Sequence, residues 1–181
     1  MTRQTKQAPE DGGPSGPETS LGTESYAGKT VVVCVGNRYL GDDGIGIHVA
    51  DELRRRDLGE DIVVDACQTA DLSLLWQYSG ALKVVVVDCL KSGAPPGTVS
   101  RYAITPNRED ITSVPGLHNL QLSDMFDIAT QARLLTCPVT VIGVEPKNCE
   151  VGEDLSDELE NAIPSVLREV AEELARPNSR V

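Results

Sequence analysis

Acidic residues follow three short apolar runs of the sequence, at points where buried strands are expected to end. Asp42 and Asp43 lie in a glycine-rich loop after the first run, Asp65 follows the second, and Asp88 follows the third. In an open α/β sheet the carboxyl ends of parallel strands meet at one edge, where ligands bind. The spacing therefore predicts that these carboxylates converge. For a single Asp, an N-cap or turn role is the more common explanation, and spacing alone assigns Asp42 and Asp65 to that class.

The glycine-rich loop, residues 36–46, suits a cation better than a phosphate. Gly36 and Gly41 have the first spacing of a phosphate-binding loop, but two acids stand where that motif requires Lys followed by Ser or Thr. Glycines let the backbone approach a ligand closely, and carboxylates bind hard or borderline metals. The loop therefore favours a metal or a cationic group over a nucleotide.

Each of the two histidines can be weighed separately. His48 falls within the first predicted helix, and we assign it no role. His118 precedes an apolar helical stretch in a loop, and binding residues concentrate in loops on a rigid scaffold, although capping or solvent exposure is the ordinary role of such a residue. Two carboxylates and an imidazole would suit nickel, zinc, iron or manganese with open coordination positions. Spacing alone does not choose among these metals.

The elements that must position these residues alternate between strands and helices. Continuous apolar runs typical of buried strands occupy residues 30–35, 62–64, 82–87 and 138–144, and an alternating run typical of an edge strand occupies 98–104. Apolar residues recur at helical spacing in 45–56, 70–78, 120–134 and 159–174. The pattern predicts an α/β fold, a three-layer sandwich with a mostly parallel sheet of about five strands.

Composition narrows the class of protein. Lys and Arg number 16 against 28 Asp and Glu, and the resulting net charge of -12 would repel nucleic acid. No apolar stretch approaches the ~18–20 residues of a membrane span, and the five cysteines form no C-x-x-C pair. We therefore expect a cytoplasmic protein without nucleic-acid or membrane partners. Residues 1–27 are predicted to be a disordered polar tail, and residues 28–178 a single α/β domain.

Four stretches, in the same order, resemble the hydrogenase maturation protease family. They are VVVCVGNRYLGDDGIGIHVADEL, VVVVDCLKSGAPPGTV, the His118-Asn119 loop before an apolar helix, and VTVIGVEPKNCEVGEDLS. The similarity covers residues 29–174. It implies an α/β fold of the phosphorylase/hydrolase-like type and an endopeptidase that removes a C-terminal extension from the nickel-loaded precursor of a nickel-iron hydrogenase large subunit. The nickel would then belong to the substrate, no organic cofactor is expected, and we expect a monomer.

By position, the resemblance assigns Asp43, Asp88 and His118 as the catalytic and nickel-contacting residues. It gives Asp65 a supporting role in substrate binding. Neither a Ser-His-Asp nor a Cys-His arrangement can be argued from the sequence, which favours a water activated by the metal or by a carboxylate. Whether nickel takes part in the chemistry or serves only for docking stays open at this point.

Two other functions fit the same residues. One is a non-cleaving metal-binding adaptor or chaperone for the hydrogenase precursor. The other is a peptidase of the same fold that acts on another protein. Turnover would distinguish the first from an endopeptidase, and dependence of cleavage on the substrate's metal would distinguish the second.

Overall fold

The computed structural model of the protein describes residues 26–68, 77–78, 80–104, 137–152 and 154–177. In these residues the elements are β1 (Thr30–Val35), α1 (Ile45–Arg54), β2 (Ile62–Cys67), β3 (Lys83–Cys89), β4 (Val99–Ile104), β5 (Val139–Val144) and α2 (Asp157–Ala175). A 3-10 helix, Gly41–Gly44, precedes α1. The five strands form one sheet in the order β2-β1-β3-β5-β4.

The sheet is parallel except at one edge. β1 pairs in parallel with β2 and β3, and β3 pairs in parallel with β5. β4 runs antiparallel to β5 at the edge of the sheet. Runs of valine suit the central strands because parallel strands are buried on both faces. The predicted α/β fold, with a mostly parallel sheet of five strands, is confirmed, and so is the edge position of the alternating run.

Both faces of the sheet are buried at its three central strands, β1, β3 and β5. Val32 and Val85 belong to the face that packs against α1 and α2, whose apolar residues recur at helical spacing. Val31 and Val84 belong to the opposite face, against which the partly buried Tyr26 packs. The central strands therefore lie in the core, and ligands are expected at the strand ends and the loops that follow.

Two strand ends differ from the prediction. β2 continues to Cys67 and β3 to Cys89, so Asp65 and Asp88 lie within strands rather than after them. The strands extend past these acids because the neighbouring strands continue beside them: Asp65 is in register with Val33, and Asp88 with Gly143. Each carboxylate also accepts a hydrogen bond from the backbone N–H of the next residue, at 2.9 Å for Asp65 and 2.8 Å for Asp88.

Several predicted segments lie wholly or mostly outside the described residues. They are the helices at 70–78 and 120–134 and the tail at 1–27, so the division into tail and domain at residue 28 stays a prediction. α2 continues through Pro164 to Ala175. In the ranges that the structure describes, no helix is both long enough and apolar enough to cross a membrane.

Candidate functional site

The loop between β1 and α1 folds tightly because glycines occupy the points of closest backbone approach. A Cβ at Gly36 would lie 2.1 Å from the carbonyl oxygen of Asp43, and a Cβ at Gly46 would lie 2.0 Å from the carbonyl oxygen of Val35. Gly41 has a φ of 53°, in the left-handed region that glycine adopts readily. The glycine spacing thus shapes a compact turn beside the carboxyl end of β1.

This turn fixes the position of Asp43. The backbone N–H of Asn37 donates to the Asp43 carbonyl oxygen at 3.2 Å and to its carboxylate Oδ2 at 3.0 Å. The Asn37 side chain in turn accepts a hydrogen bond from the N–H of Tyr39 at 3.0 Å, as Asn does in a turn. Asp43 is half-buried. Its carboxylate therefore has a defined position at the edge of the sheet.

Asp42, by contrast, is a buried structural residue with 1% of its surface exposed. Its Oδ2 accepts hydrogen bonds from the N–H of Lys147 at 2.7 Å and of Asn148 at 2.8 Å. Both carboxylate oxygens bind Ser156, through its N–H at 2.7 Å and its hydroxyl at 3.0 Å. Burial alone would raise the pKa of Asp42, but these hydrogen bonds outweigh it and hold the pKa below its ordinary value.

The sequence predicted an N-cap or turn role for Asp42; the structure shows a structural role, with distant partners that were not predicted. Asp42 does not cap the helix that follows it. It joins the glycine-rich loop to the segment after β5 and to Ser156, which precedes α2.

Asp88 lies next to the carboxyl end of β3 and is half-buried. Burial raises the pKa of Asp88 to about 8; the hydrogen bond from the N–H of Cys89 lowers it, and the negative charge of Asp43 raises it further. Among the described residues, neither Asp43 nor Asp88 forms an ion pair. Two neighbouring carboxylates without a neutralising partner favour the binding of a cation.

Asp65 occupies a different environment on the same sheet. Its Oδ2 accepts hydrogen bonds from the hydroxyls of Tyr78 at 2.8 Å and Tyr26 at 3.1 Å, and from the side-chain amide of Gln77 at 3.4 Å. The two tyrosine rings pack edge to face, with centroids 4.9 Å apart. Burial raises the pKa of Tyr78, and the hydrogen bond to Asp65 adds to the effect. These contacts give Asp65 a structural role, and its part in substrate binding stays a prediction.

Of the two histidines, the structure describes His48 but not His118. His118, the third residue predicted to contact nickel, lies outside the described residues, so its placement stays a prediction. His48 is half-buried on α1, and its Nε2 has no hydrogen-bond partner in the described part of the chain. Burial lowers the pKa of His48, and the nearby Arg38 lowers it further. We assign no role to His48.

Two cysteines that sequence reasoning did not select lie beside Asp43. The sulfur atoms of Cys89 and Cys149 are 3.8 Å apart, and both lie within 4.8 Å of a carboxylate oxygen of Asp43. Cys89 ends β3, and Cys149 follows β5. Their positions in the sequence could have indicated this contact, since both cysteines follow apolar runs that lead to the carboxyl edge of the sheet. None of the five cysteines forms a disulfide.

Comparison with known proteins gives concordant matches. A sequence model of the hydrogenase maturation protease family matches residues 47–173. Protein FrxA of Pyrococcus furiosus is 29% identical, over 71% of this chain and 92% of that protein. The hydrogenase 2 maturation peptidase from Thaumarchaeota archaeon SCGC_AB-539-E09 is 28% identical, with a TM-score of 0.65, over 81% of this chain and 98% of that chain. The hydrogenase maturating endopeptidase HybD from E. coli shares the fold, with 24% identity, a TM-score of 0.68, and coverage of 81% and 91%.

Proposed function

Because this chain belongs to the hydrogenase maturation protease family, and is therefore a peptide hydrolase, we propose that it removes a C-terminal extension from the precursor of a nickel-iron hydrogenase large subunit. The nickel would be carried by the precursor, as part of the substrate. Asp43, Asp88 and His118 would contact it. A cytoplasmic location and a monomeric state, both expected from the sequence, belong to the same proposal.

The placement of Asp43 beside Asp88 carries this proposal. The two acids are 45 positions apart in the sequence, yet the fold brings the Asp43 carboxylate within 4.8 Å of the sulfur of Cys89, the residue after Asp88. The charge of Asp43 also raises the pKa of Asp88. Oxygen ligands of this kind suit a borderline metal with positions open for other ligands. A docked cation would offset the repulsion that keeps Asp88 protonated beside Asp43, so nickel in the precursor would favour the ionised form of Asp88.

The protonation state of Asp88 suggests how the protein would distinguish a nickel-loaded precursor from one without nickel. With a pKa of about 8, the carboxyl group is mostly protonated at neutral pH in the free protein. A cation lowers the pKa of a carboxylate that it contacts, so docking would release this proton. The resulting carboxylate could bind the metal or accept a proton from a water that attacks the scissile bond. A precursor without nickel would leave Asp88 protonated and poorly suited to either role.

The test is the intact mass of the precursor large subunit after incubation with this protein, with and without nickel in the precursor. We expect loss of C-terminal mass only from the nickel-loaded sample. Asp43→Asn, Asp88→Asn and His118→Ala should each slow this loss. Asp51→Asn is a matched control, because Asp51 is a partly exposed acid of α1 that forms an ion pair with Arg38.

Each other outcome rejects a specific part of the proposal. A complex that forms without any mass loss would favour a non-cleaving adaptor. Equal cleavage of precursors with and without nickel would show that this peptidase does not depend on the metal of its substrate. Full cleavage by a variant that lacks the side chains of Asp43, Asp88 and His118 would refute the proposed site.

A further inference from the structure

We propose that Asp43, Cys89 and Cys149 form a binding site for a tetrahedral, thiolate-preferring divalent cation such as Zn²⁺. The three residues offer two sulfur ligands and one oxygen ligand, all within 4.8 Å of one another. Thiolates prefer zinc and other soft or borderline ions, whereas Asp43 and Asp88 alone would offer only oxygen. The site therefore differs in chemistry from the proposed nickel-contacting residues, although it shares Asp43 with them.

The distance between the sulfur atoms supports tetrahedral coordination. At a zinc–sulfur distance of about 2.3 Å and a tetrahedral angle, two thiolates of one ion lie about 3.8 Å apart. The sulfur atoms of Cys89 and Cys149 are 3.8 Å apart. A right angle, as in square-planar coordination, would bring them to roughly 3.3 Å, and a disulfide would bring them to about 2.05 Å. The pair is thus spaced for a shared tetrahedral ion.

Asp43 needs only a small adjustment to join the two cysteines. Sulfur and oxygen ligands of one tetrahedral zinc lie about 3.6 Å apart, so the Asp43 oxygen, which lies within 4.8 Å of both sulfur atoms, would move by about 1.4 Å at most. One Asp43 oxygen already accepts a hydrogen bond from the N–H of Asn37 at 3.0 Å, and such a hydrogen bond would hold the carboxylate in its orientation toward the ion. Three protein ligands leave a fourth position for water, as in catalytic rather than structural zinc sites.

Asp42 holds the two halves of the cluster together. It precedes Asp43 in the chain, and it accepts hydrogen bonds from the N–H groups of Lys147 and Asn148, the two residues before Cys149. Its own N–H donates to the carbonyl oxygen of Asn148 at 2.9 Å. The segment that carries Cys149 is therefore fixed against the loop that carries Asp43, and the ligands are positioned before any ion binds.

Sharing Asp43 has a consequence that rests on the function proposed above. An ion held by Asp43 and the two cysteines would occupy the carboxylate that nickel in the precursor must contact. Zinc and the nickel-loaded precursor would then compete, and zinc would inhibit cleavage.

The test is titration of the reduced, metal-free full chain with Co²⁺, followed by displacement with Zn²⁺. Tetrahedral Co²⁺ bound to thiolate gives charge-transfer and d–d absorption bands, and we expect one Co²⁺ per chain. Cys149→Ser and Cys89→Ser should each weaken Co²⁺ binding by more than about tenfold, because loss even of a group that only hydrogen-bonds to a metal ligand weakens binding by about tenfold or more. Cys137→Ser is the matched control: Cys137 is 6% exposed and Cys89 7% exposed.

Because Cys149 is only half-buried, Cys149→Ser still tests the site if Cys89→Ser fails to fold. The site would be refuted if the native chain gave no thiolate–cobalt band, or if Cys149→Ser and Cys137→Ser bound Co²⁺ with equal affinity. The two cysteines would then form only a weak contact between thiols. In the cleavage assay, zinc should slow the native enzyme by a larger factor than it slows Cys149→Ser. Zinc that binds without slowing cleavage would refute the competition. Absence of cleavage in metal-free buffer would count against the proposed function and leave the Co²⁺ titration unaffected.

Discussion

Replacing Asp42 tests whether one buried carboxylate holds the site together. Asp42→Ala leaves three backbone N–H groups and the Ser156 hydroxyl without their acceptor. Each buried donor left unpaired costs about 1–3 kcal/mol, although relaxation and entering water reduce the sum. We therefore expect Asp42→Ala to lower the free energy of unfolding by about 4 kcal/mol, within the range for breaking a buried polar network.

Asp42→Asn separates the hydrogen bonds from the charge. The amide oxygen can replace Oδ2 and keep its three hydrogen bonds, but the amide N–H group then faces the N–H of Ser156 in place of Oδ1. This one mismatch should cost about 2 kcal/mol. Urea unfolding measures both variants, with Asp51→Asn as a control that should change stability by less than about 0.5 kcal/mol.

The pH dependence of the free energy of unfolding gives a further test of the role of Asp42. Hydrogen bonding holds the pKa of Asp42 in the folded protein below its unfolded value, which is about 3.9. Its contribution to stability is therefore complete above that unfolded value and is lost as the pH falls through the lower, folded value. The gap between the native chain and Asp42→Asn should be largest at neutral pH and should shrink below about pH 4. A cost under about 1 kcal/mol at pH 7, or a gap unchanged at pH 3, would refute this account.

Gly46→Ala should destabilise the protein by about 3 kcal/mol or prevent folding, because the new Cβ would lie 2.0 Å from the carbonyl oxygen of Val35. Calorimetry should show a much smaller change in Tm for Gly152→Ala, because a Cβ at that position would lie no nearer than 4.0 Å to another heavy atom. Equal Tm values for the two variants would contradict this explanation. Asp65→Asn should lower stability by about 1–3 kcal/mol in urea unfolding, because the amide nitrogen that replaces one carboxylate oxygen cannot accept a hydrogen bond from either the tyrosine hydroxyls or the Ala66 N–H. A raised KM without any stability loss would favour a substrate role instead. Affinity for the nickel-loaded precursor should rise between pH 6 and about pH 8 as a proton leaves Asp88, whose folded pKa is about 8. Calorimetry at several pH values should show a flat profile for Asp88→Asn, and an equally steep one would exclude this group.

Much of the fold could be predicted because its signals are local. The run at Thr30–Val35 and the last strand can be recognised from apolar continuity, and the edge strand from alternation. Side-chain periodicity follows directly from strand and helix geometry, so neighbouring residues suffice to reveal it. Strand ends were less certain, because β2 and β3 continue past their acids as long as the strands beside them continue.

Local sequence patterns are enough to predict which chemical groups come to the carboxyl edge of the sheet: the glycine-rich loop with Asp43, and Asp88 near the end of its strand. Which of these groups contact each other depends on the packing of the folded chain. The Cys89–Cys149 contact joins residues 60 positions apart, and the hydrogen bonds of Asp42 reach residues 105 to 114 positions away. No local pattern encodes such pairs, because they depend on how the loops after β1, β3 and β5 pack together once the sheet has formed.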